Sequence, residues 1–254
     1  MTDIEIDGVL NARSFGDVSV WLVRSGSLDG LTPAGRERLA ELGVTLVLDL
    51  RDPTERRSPA AASAGPDRPG ASGGSPTSGG FEVLHVPLYA TASGPPVTGD
   101  IEDVYSTLVR ERGSAIATAV GAIADAEGAV LVHCAVGKDR TGLVVALALL
   151  LGGMPREEIL ADYALSGAVI DAARRPYVEA LLRDSGVTGA ALESALRLHL
   201  ESPAEAMRHA LNLIDELGGP HAYLLRHGMS PEQFARIRDR AAVASGADAE
   251  EDAA

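Results

Sequence analysis

The sequence predicts an α/β fold: a central, mostly parallel sheet flanked by helices, with a helical C-terminal part. Three observations predict it. Short apolar runs suited to buried strands alternate with helical patterns as far as Leu151. The apolar run Ala129 to Val132 is followed, after one loop, by the strongly apolar stretch Leu143 to Leu151, a strand-then-helix unit. From Pro155 onward every pattern is helical. Strands that alternate with helices imply a parallel sheet covered on both faces, and ligands in such folds bind beyond the carboxyl ends of the strands.

Taken in order, Asp17 to Val23 alternates apolar and polar residues and reads as an early strand. Thr32-Pro33 reads as an N-cap with proline at the first helical position, opening a helix to about Leu42 that Gly43 stops. Val44 to Leu50 is a β-branched apolar run suited to a buried strand. Ser58 to Gly80 is rich in Gly, Ser, Pro and Ala, cannot pack, and reads as a flexible loop insertion. Glu82 to Val86 reads as the next strand, and Asp103 to Glu111 and Ser114 to Ala126 as helices. Ala129 to Val132 is a strand that ends at His133-Cys134, and Thr141 to Leu151 is a helix closed by Gly152-Gly153. Ser202-Pro203-Ala204-Glu205 has capping-box spacing, and Ser230-Pro231-Glu232-Gln233 repeats it. The acidic end, 246–254, reads as a disordered tail.

Composition narrows the function. The 254 residues carry 22 Lys+Arg against 36 Asp+Glu, a formal net charge of −14. That balance argues against nucleic acid or an anionic membrane as the main partner, because both require a broad basic field. One cysteine, Cys134, excludes an internal disulfide and a Cys-based zinc site. A lone thiol persists best in a reducing compartment, so the expected location is the cytoplasm. The longest apolar run has nine residues, whereas a spanning helix needs about 20, so no integral membrane segment is expected. His199, His209, His221 and His227 are scattered over predicted helices without metal-ligand partners, and neither metal nor cofactor is expected. Composition does not address the oligomeric state.

The chemistry is concentrated in one loop, His133-Cys134-Ala135-Val136-Gly137-Lys138-Asp139-Arg140-Thr141-Gly142, which holds the only cysteine and the only lysine. A loop that enters a helix points several backbone N–H groups at one spot, and the helix N-terminus adds partial positive charge there. That spot suits a phosphate, and the same field favours the thiolate of Cys134. Arg140 offers a planar fork for two phosphoryl oxygens. Ala135, Val136, Gly137, Lys138, Asp139 and Arg140 are therefore the expected phosphate-binding residues.

This decapeptide resembles the catalytic loop of the cysteine-dependent protein tyrosine phosphatases. It is most similar to their bacterial atypical branch, some members of which also act on phosphoinositides; all eight fixed positions of that branch's pattern match. Asn11-Ala12-Arg13, Arg24-Ser25-Gly26-Ser27-Leu28 and Asp49-Leu50-Arg51 resemble its earlier motifs in the same order, and Ala222 to Leu225 and Met229 to Glu232 its later ones. The resemblance implies a single phosphatase domain over 1–245 that hydrolyses phosphate monoesters without metal. Phosphotyrosine proteins are the leading substrates and phosphoinositides the alternative. It assigns Cys134 as the nucleophile that forms a phosphocysteine, Arg140 as the phosphoryl binder and Thr141 as a hydroxyl donor to the sulfur. His133 is assigned a supporting role as orienter of the loop. For the general acid it offers Asp139, with Asp49 as runner-up, because the Trp-Pro-Asp motif of other branches is absent. Ser14-Phe15-Gly16-Asp17 stands where the branch usually has Gly-Gly.

Several alternatives stay open at this level. His133 also reads as a core histidine, Asp49 and Arg51 as an ordinary ion pair, and Arg13 and Arg24 as structural rather than substrate-binding. The helical stretch 164–200 reads either as a lid over the pocket or as a packing subdomain. Lys138, beside the phosphate loop, is expected to favour doubly phosphorylated or inositol-lipid substrates. A sulfurtransferase and a non-catalytic phosphate-binding module are the competing function classes.

Overall fold

The computed structural model describes residues 1–56, 80–89 and 96–246. Apart from Gly80 and Gly246, the expected loop insertion 58–80 and acidic tail 246–254 lie outside the described residues.

Six strands form one sheet in the order β1-β2-β3-β6-β4-β5. β1 (Thr2–Asp3), β2 (Arg13–Phe15) and β3 (Leu22–Ser25) pair antiparallel, whereas β3, β6 (Ala129–His133), β4 (Val44–Asp49) and β5 (Glu82–His85) run parallel. The antiparallel edge modifies the expectation for the N-terminal region. Asp17 to Val20 is not strand: Gly16, at φ +121°, opens a connection that Trp21 N–H closes onto Phe15 O. The N–H groups of Asp17 and Val18 donate instead to Ala244 O of the last helix.

The period-two rule sorts β6 cleanly. Val130 and Val132 face one core with Leu22, Leu48 and the C-terminal helices. Ala129 and Leu131 face the other with Val23, Val47 and Leu39 of α1 (Pro33–Glu41). Thr32 caps α1 by accepting from Gly35 N–H, with Pro33 first in the helix. The larger core gathers α3 (Ile101–Glu111), α4 (Gly113–Asp125) and α5 (Asp139–Leu151). α5 is buried along nearly its whole length, which explains its lack of a polar face. Among the described residues no helix is long and apolar enough to cross a membrane.

The C-terminal part is helical, as α6 (Arg156–Asp184), α7 (Ala190–Leu200), α8 (Ala204–Glu216), α9 (Gly219–Arg226) and α10 (Pro231–Ser245). The two capping motifs behave differently. Ser230 and Gln233 form the full reciprocal box at α10. Ser202 does not cap α8; its hydroxyl accepts from Gly167 N–H and donates to Ala164 O, joining α6 instead.

Candidate active site

Register places the site. Ser25, His133 and Asp49 stand side by side at the carboxyl ends of β3, β6 and β4, and the decapeptide loop leaves from the middle of this row into the N-terminus of α5. The loop's carbonyls are held one after another. Cys134 O accepts from His133 Nδ1 at 3.1 Å, which requires the Nδ1–H tautomer. Ala135 O accepts from Ser27 N–H at 3.0 Å. Val136 O accepts from Asn11 Nδ2 at 3.0 Å, and Gly137 O from Arg24 Nη2 at 2.7 Å and Asn11 Nδ2 at 3.2 Å. A trans peptide points its N–H opposite to its carbonyl. With these four carbonyls tied back, the N–H groups of Ala135, Val136, Gly137 and Lys138 turn to the other side of the loop, where they form an anion cradle. Gly137 must be glycine: its φ is +74°, and a Cβ would lie 2.3 Å from Ser25 O.

Cys134 is buried, and its negative form is among the influences that hold the Arg140 guanidinium charged. Arg140 is fixed on two sides. One edge makes a two-pronged pair with Glu55, Nη1 to Oε2 at 2.6 Å and Nη2 to Oε1 at 2.7 Å. One face lies over the Tyr89 ring, 4.6 Å from its centroid. Burial works against the Arg140 charge, but Cys134 and Glu55 more than offset it and raise its pKa. Burial alone would raise the Glu55 carboxyl; the hydrogen bonds from Arg140 bring it below its ordinary value. Glu55 lies in the short helix α2 (Pro53–Arg56), where its Oε2 also accepts from Asp52 N–H at 2.8 Å. Neither Glu55 nor Tyr89 stands out in the sequence, although an Asp-Pro-x-Glu turn just after a strand is a recognisable helix start.

The two carboxylates considered for acid catalysis differ. Asp139 opens α5 beside the loop, with the Tyr163 hydroxyl 3.4 Å and the Lys138 ammonium 3.6 Å from its Oδ1. Asp49 sits at the end of β4 but is engaged on both oxygens. Arg51 Nε donates to Oδ1 at 3.0 Å and Nη2 to Oδ2 at 2.9 Å, with Arg51 N–H adding a third bond. Burial would raise the Asp49 carboxyl, but His85, His133 and Arg51 hold it well below the usual carboxylate range. With both oxygens tied to Arg51, Asp49 is set apart from Asp139, whose Oδ1 has the longer contacts to Tyr163 and Lys138. His133 is buried, and desolvation lowers its pKa against the attraction of Asp49.

Lys138 is engaged through its side chain as well. Its backbone N–H faces the cradle, but its ammonium is buried and donates to Leu198 O at 2.5 Å and Glu201 O at 2.7 Å, at the C-terminus of α7. Carbonyls there carry the helix's partial negative charge. Burial lowers the Lys138 pKa. Val136 packs into the small core shared by α6 and α7 around Ile170, Leu182 and Leu200. Thr141 is fully buried at the first turn of α5, and its Oγ1 makes no hydrogen bond within the described residues.

Arg13 and Arg24, read from the sequence as structural, lie on the carbonyl side of the loop. Arg13 donates to Asp162 Oδ1 at 2.7 Å, to Asn11 Oδ1 at 2.7 Å and to the Ser166 hydroxyl at 2.8 Å. Arg24 pairs with Asp162 Oδ2. Asp162 and Ser166 come from α6 and lie in no local motif. Among the described residues no group of three or more His, Cys, Asp or Glu is placed to hold a metal ion.

The chain is similar to several known proteins. A Tyrosine-protein phosphatase of Nostoc commune is 31% identical over 161 residues, covering 59% of this chain and 49% of the relative. The Triple specificity protein phosphatase PtpB of Mycobacterium tuberculosis is 31% identical over 188 residues, covering 64% of this chain and 68% of the relative. The chain therefore spans about half the length of the first relative and about two thirds of the second. Among solved structures, Pseudomonas aeruginosa TpbA aligns over 78% of this chain and 94% of its own, at 17% identity and a TM-score of 0.39. The model of the tyrosine phosphatase family matches residues 4–242. With nearly the whole chain matched, from the N-terminal strands to α10, the protein belongs to the tyrosine phosphatase family.

Proposed function

We propose that the chain hydrolyses phosphate monoesters through a phosphocysteine, with phosphotyrosine in proteins as its main substrate. The observation that carries this reading is the joint placement of a buried cysteine, a cradle of backbone N–H groups and an anchored guanidinium in one loop at a helix N-terminus. The Cys134 thiolate attacks phosphorus, and the P–O bond to the leaving group breaks as the P–S bond forms. Asp139 gives its proton to the leaving oxygen. Water then attacks phosphorus, the P–S bond breaks, Asp139 takes the water's proton and inorganic phosphate leaves. Arg140 and the cradle stabilise the equatorial oxygens in both steps, where charge is spread. Thr141, buried at the start of α5 with an unengaged hydroxyl, is assigned to the sulfur as it leaves.

Release of p-nitrophenol from p-nitrophenyl phosphate with EDTA present tests the reading. Activity abolished by Cys134→Ser supports it. Wild-type inactivity with retained phosphopeptide binding identifies a binding module instead, and thiosulfate-dependent thiocyanate formation a sulfurtransferase. The phosphoinositide alternative rests on resemblance alone, since the Lys138 ammonium that also motivated it is engaged by α7 carbonyls.

A further inference from the structure

We infer that Arg24 and its partner Asp162 are positioning residues for the phosphate cradle, acting through the Gly137–Lys138 peptide. The inference rests on the reading of this loop as a phosphate site and adds how that site is held open.

The argument begins with a single carbonyl. Gly137 O takes its shortest hydrogen bond, 2.7 Å, from Arg24 Nη2. While that bond holds, peptide planarity aims Lys138 N–H at the anion. If the peptide turns over, a carbonyl oxygen replaces a donor and repels phosphate. Backbone contact sets the place of this peptide, because Gly137 lies flush on Ser25 and Gly26, but contact does not set its sense. The charged donor sets the sense.

Arg24 is in turn held in place. Its side chain and those of Arg13 and Asp162 are 1–3% exposed. Asp162 and Ser166, four residues apart on one face of α6, receive both guanidinium groups.

Charge provides a second, independent indication. Two buried guanidinium ions share one buried carboxylate, while their other side-chain partners, Asn11 and Ser166, are neutral. Asp3, exposed at the edge strand, adds a weaker attraction to Arg13. Burial of unmatched charge is costly. The surplus here lies one peptide away from the place where the thiolate and the phosphate bring negative charge. A tie whose only task was to dock α6 on the sheet would be better served by a matched pair.

The test compares Arg24→Lys, Asp162→Asn and Asn11→Gly with wild type in three measurements: orthovanadate affinity by calorimetry, kcat and KM on p-nitrophenyl phosphate, and Tm. Arg24→Lys and Asp162→Asn are expected to lose about ten- to a hundredfold in vanadate affinity and in kcat/KM, since a cradle donor is misaimed rather than deleted. Asn11→Gly suits the left-handed backbone at φ 60° and removes only the amide, so it carries the test if the charge variants do not fold; its expected loss is about three- to tenfold. Folded variants that lose Tm yet keep vanadate affinity within threefold overturn the inference and leave a purely structural tie. A wild type that binds no vanadate overturns it too. A wild type that binds vanadate but lacks Cys134-dependent turnover refutes the proposed activity alone, and the variants' vanadate affinities still decide the inference.

Discussion

Replacing Glu55 with glutamine separates the anchoring of Arg140 from the presence of Arg140. In the wild type the guanidinium meets Glu55 through two hydrogen bonds of 2.6 and 2.7 Å, with the two side chains 14% and 6% exposed. A hydrogen bond to a charged group contributes about 1.5–3 kcal/mol, and two parallel ones also fix the plane of the fork. Glutamine keeps one acceptor and presents an NH2 to the other prong, so about 2–3 kcal/mol of orientation is lost. At 1.36 kcal/mol per tenfold, kcat/KM on an aryl phosphate should fall by about 30- to 150-fold. The loss should fall on kcat, because ground-state binding gains from a guanidinium no longer neutralised by Glu55. The contrast should also depend on pH. The Glu55 pKa is lowered from 4.5 in the folded chain, so the wild-type pair persists through pH 4.5 and is lost only below it, where wild type and variant converge. A folded Glu55→Gln protein with kcat/KM within threefold of wild type at pH 6 would refute the anchoring argument.

Three further outcomes follow from the same geometry. Asp139→Asn should remove the basic limb of the pH–rate profile, whereas Asp49→Asn should leave that limb in place and destabilise the fold by about 1–3 kcal/mol in urea, because Arg51 loses one of its two carboxylate partners and keeps Asp29. Lys138→Met should reduce turnover of an aryl phosphate and of a phosphoinositide by the same factor, since the ammonium holds α7 carbonyls; a selective phosphoinositide loss would restore a substrate role. Stability should decline on acidification in two stages. His133 is lowered from 6.5, so below that pH the unfolded chain binds a proton that the folded chain refuses; Asp49, lowered from 3.8, adds a steeper loss near and below that value. Urea unfolding of His133→Gln should show a smaller first stage, to which His199 also contributes, and keep the second.

Legibility in the sequence followed the range of the interactions. The candidate loop is ten contiguous residues between an apolar strand and an apolar helix, and strand, loop and helix fix its geometry locally. Cys134, Arg140, Asp139 and the cradle residues were therefore identifiable before any fold was known. The same holds for Thr32 over α1 and Ser230 over α10, whose caps involve partners three residues away. Ser202 carries an equally good local signal but bonds across to α6, 35 residues away, because that partner is closer in space than its own helix start. Asp17 to Val20 alternates like a strand, yet the carbonyl of Ala244 captures its N–H groups.

The sequence by itself determined the α/β class and the place of the candidate loop between strand and helix, since each is encoded by short-range pattern. Only the tertiary structure decided how the loop's residues are held. Glu55 meets Arg140 across 85 positions, Asn11 meets Gly137 across 126, and Arg24 meets Asp162 across 138. It also placed the Lys138 ammonium on α7 carbonyls and both oxygens of Asp49 on Arg51. Direction was the missing quantity: a sequence states that an ammonium or a carboxylate is near the site, but burial and the partners brought together by the fold decide which way it points and which charge it carries.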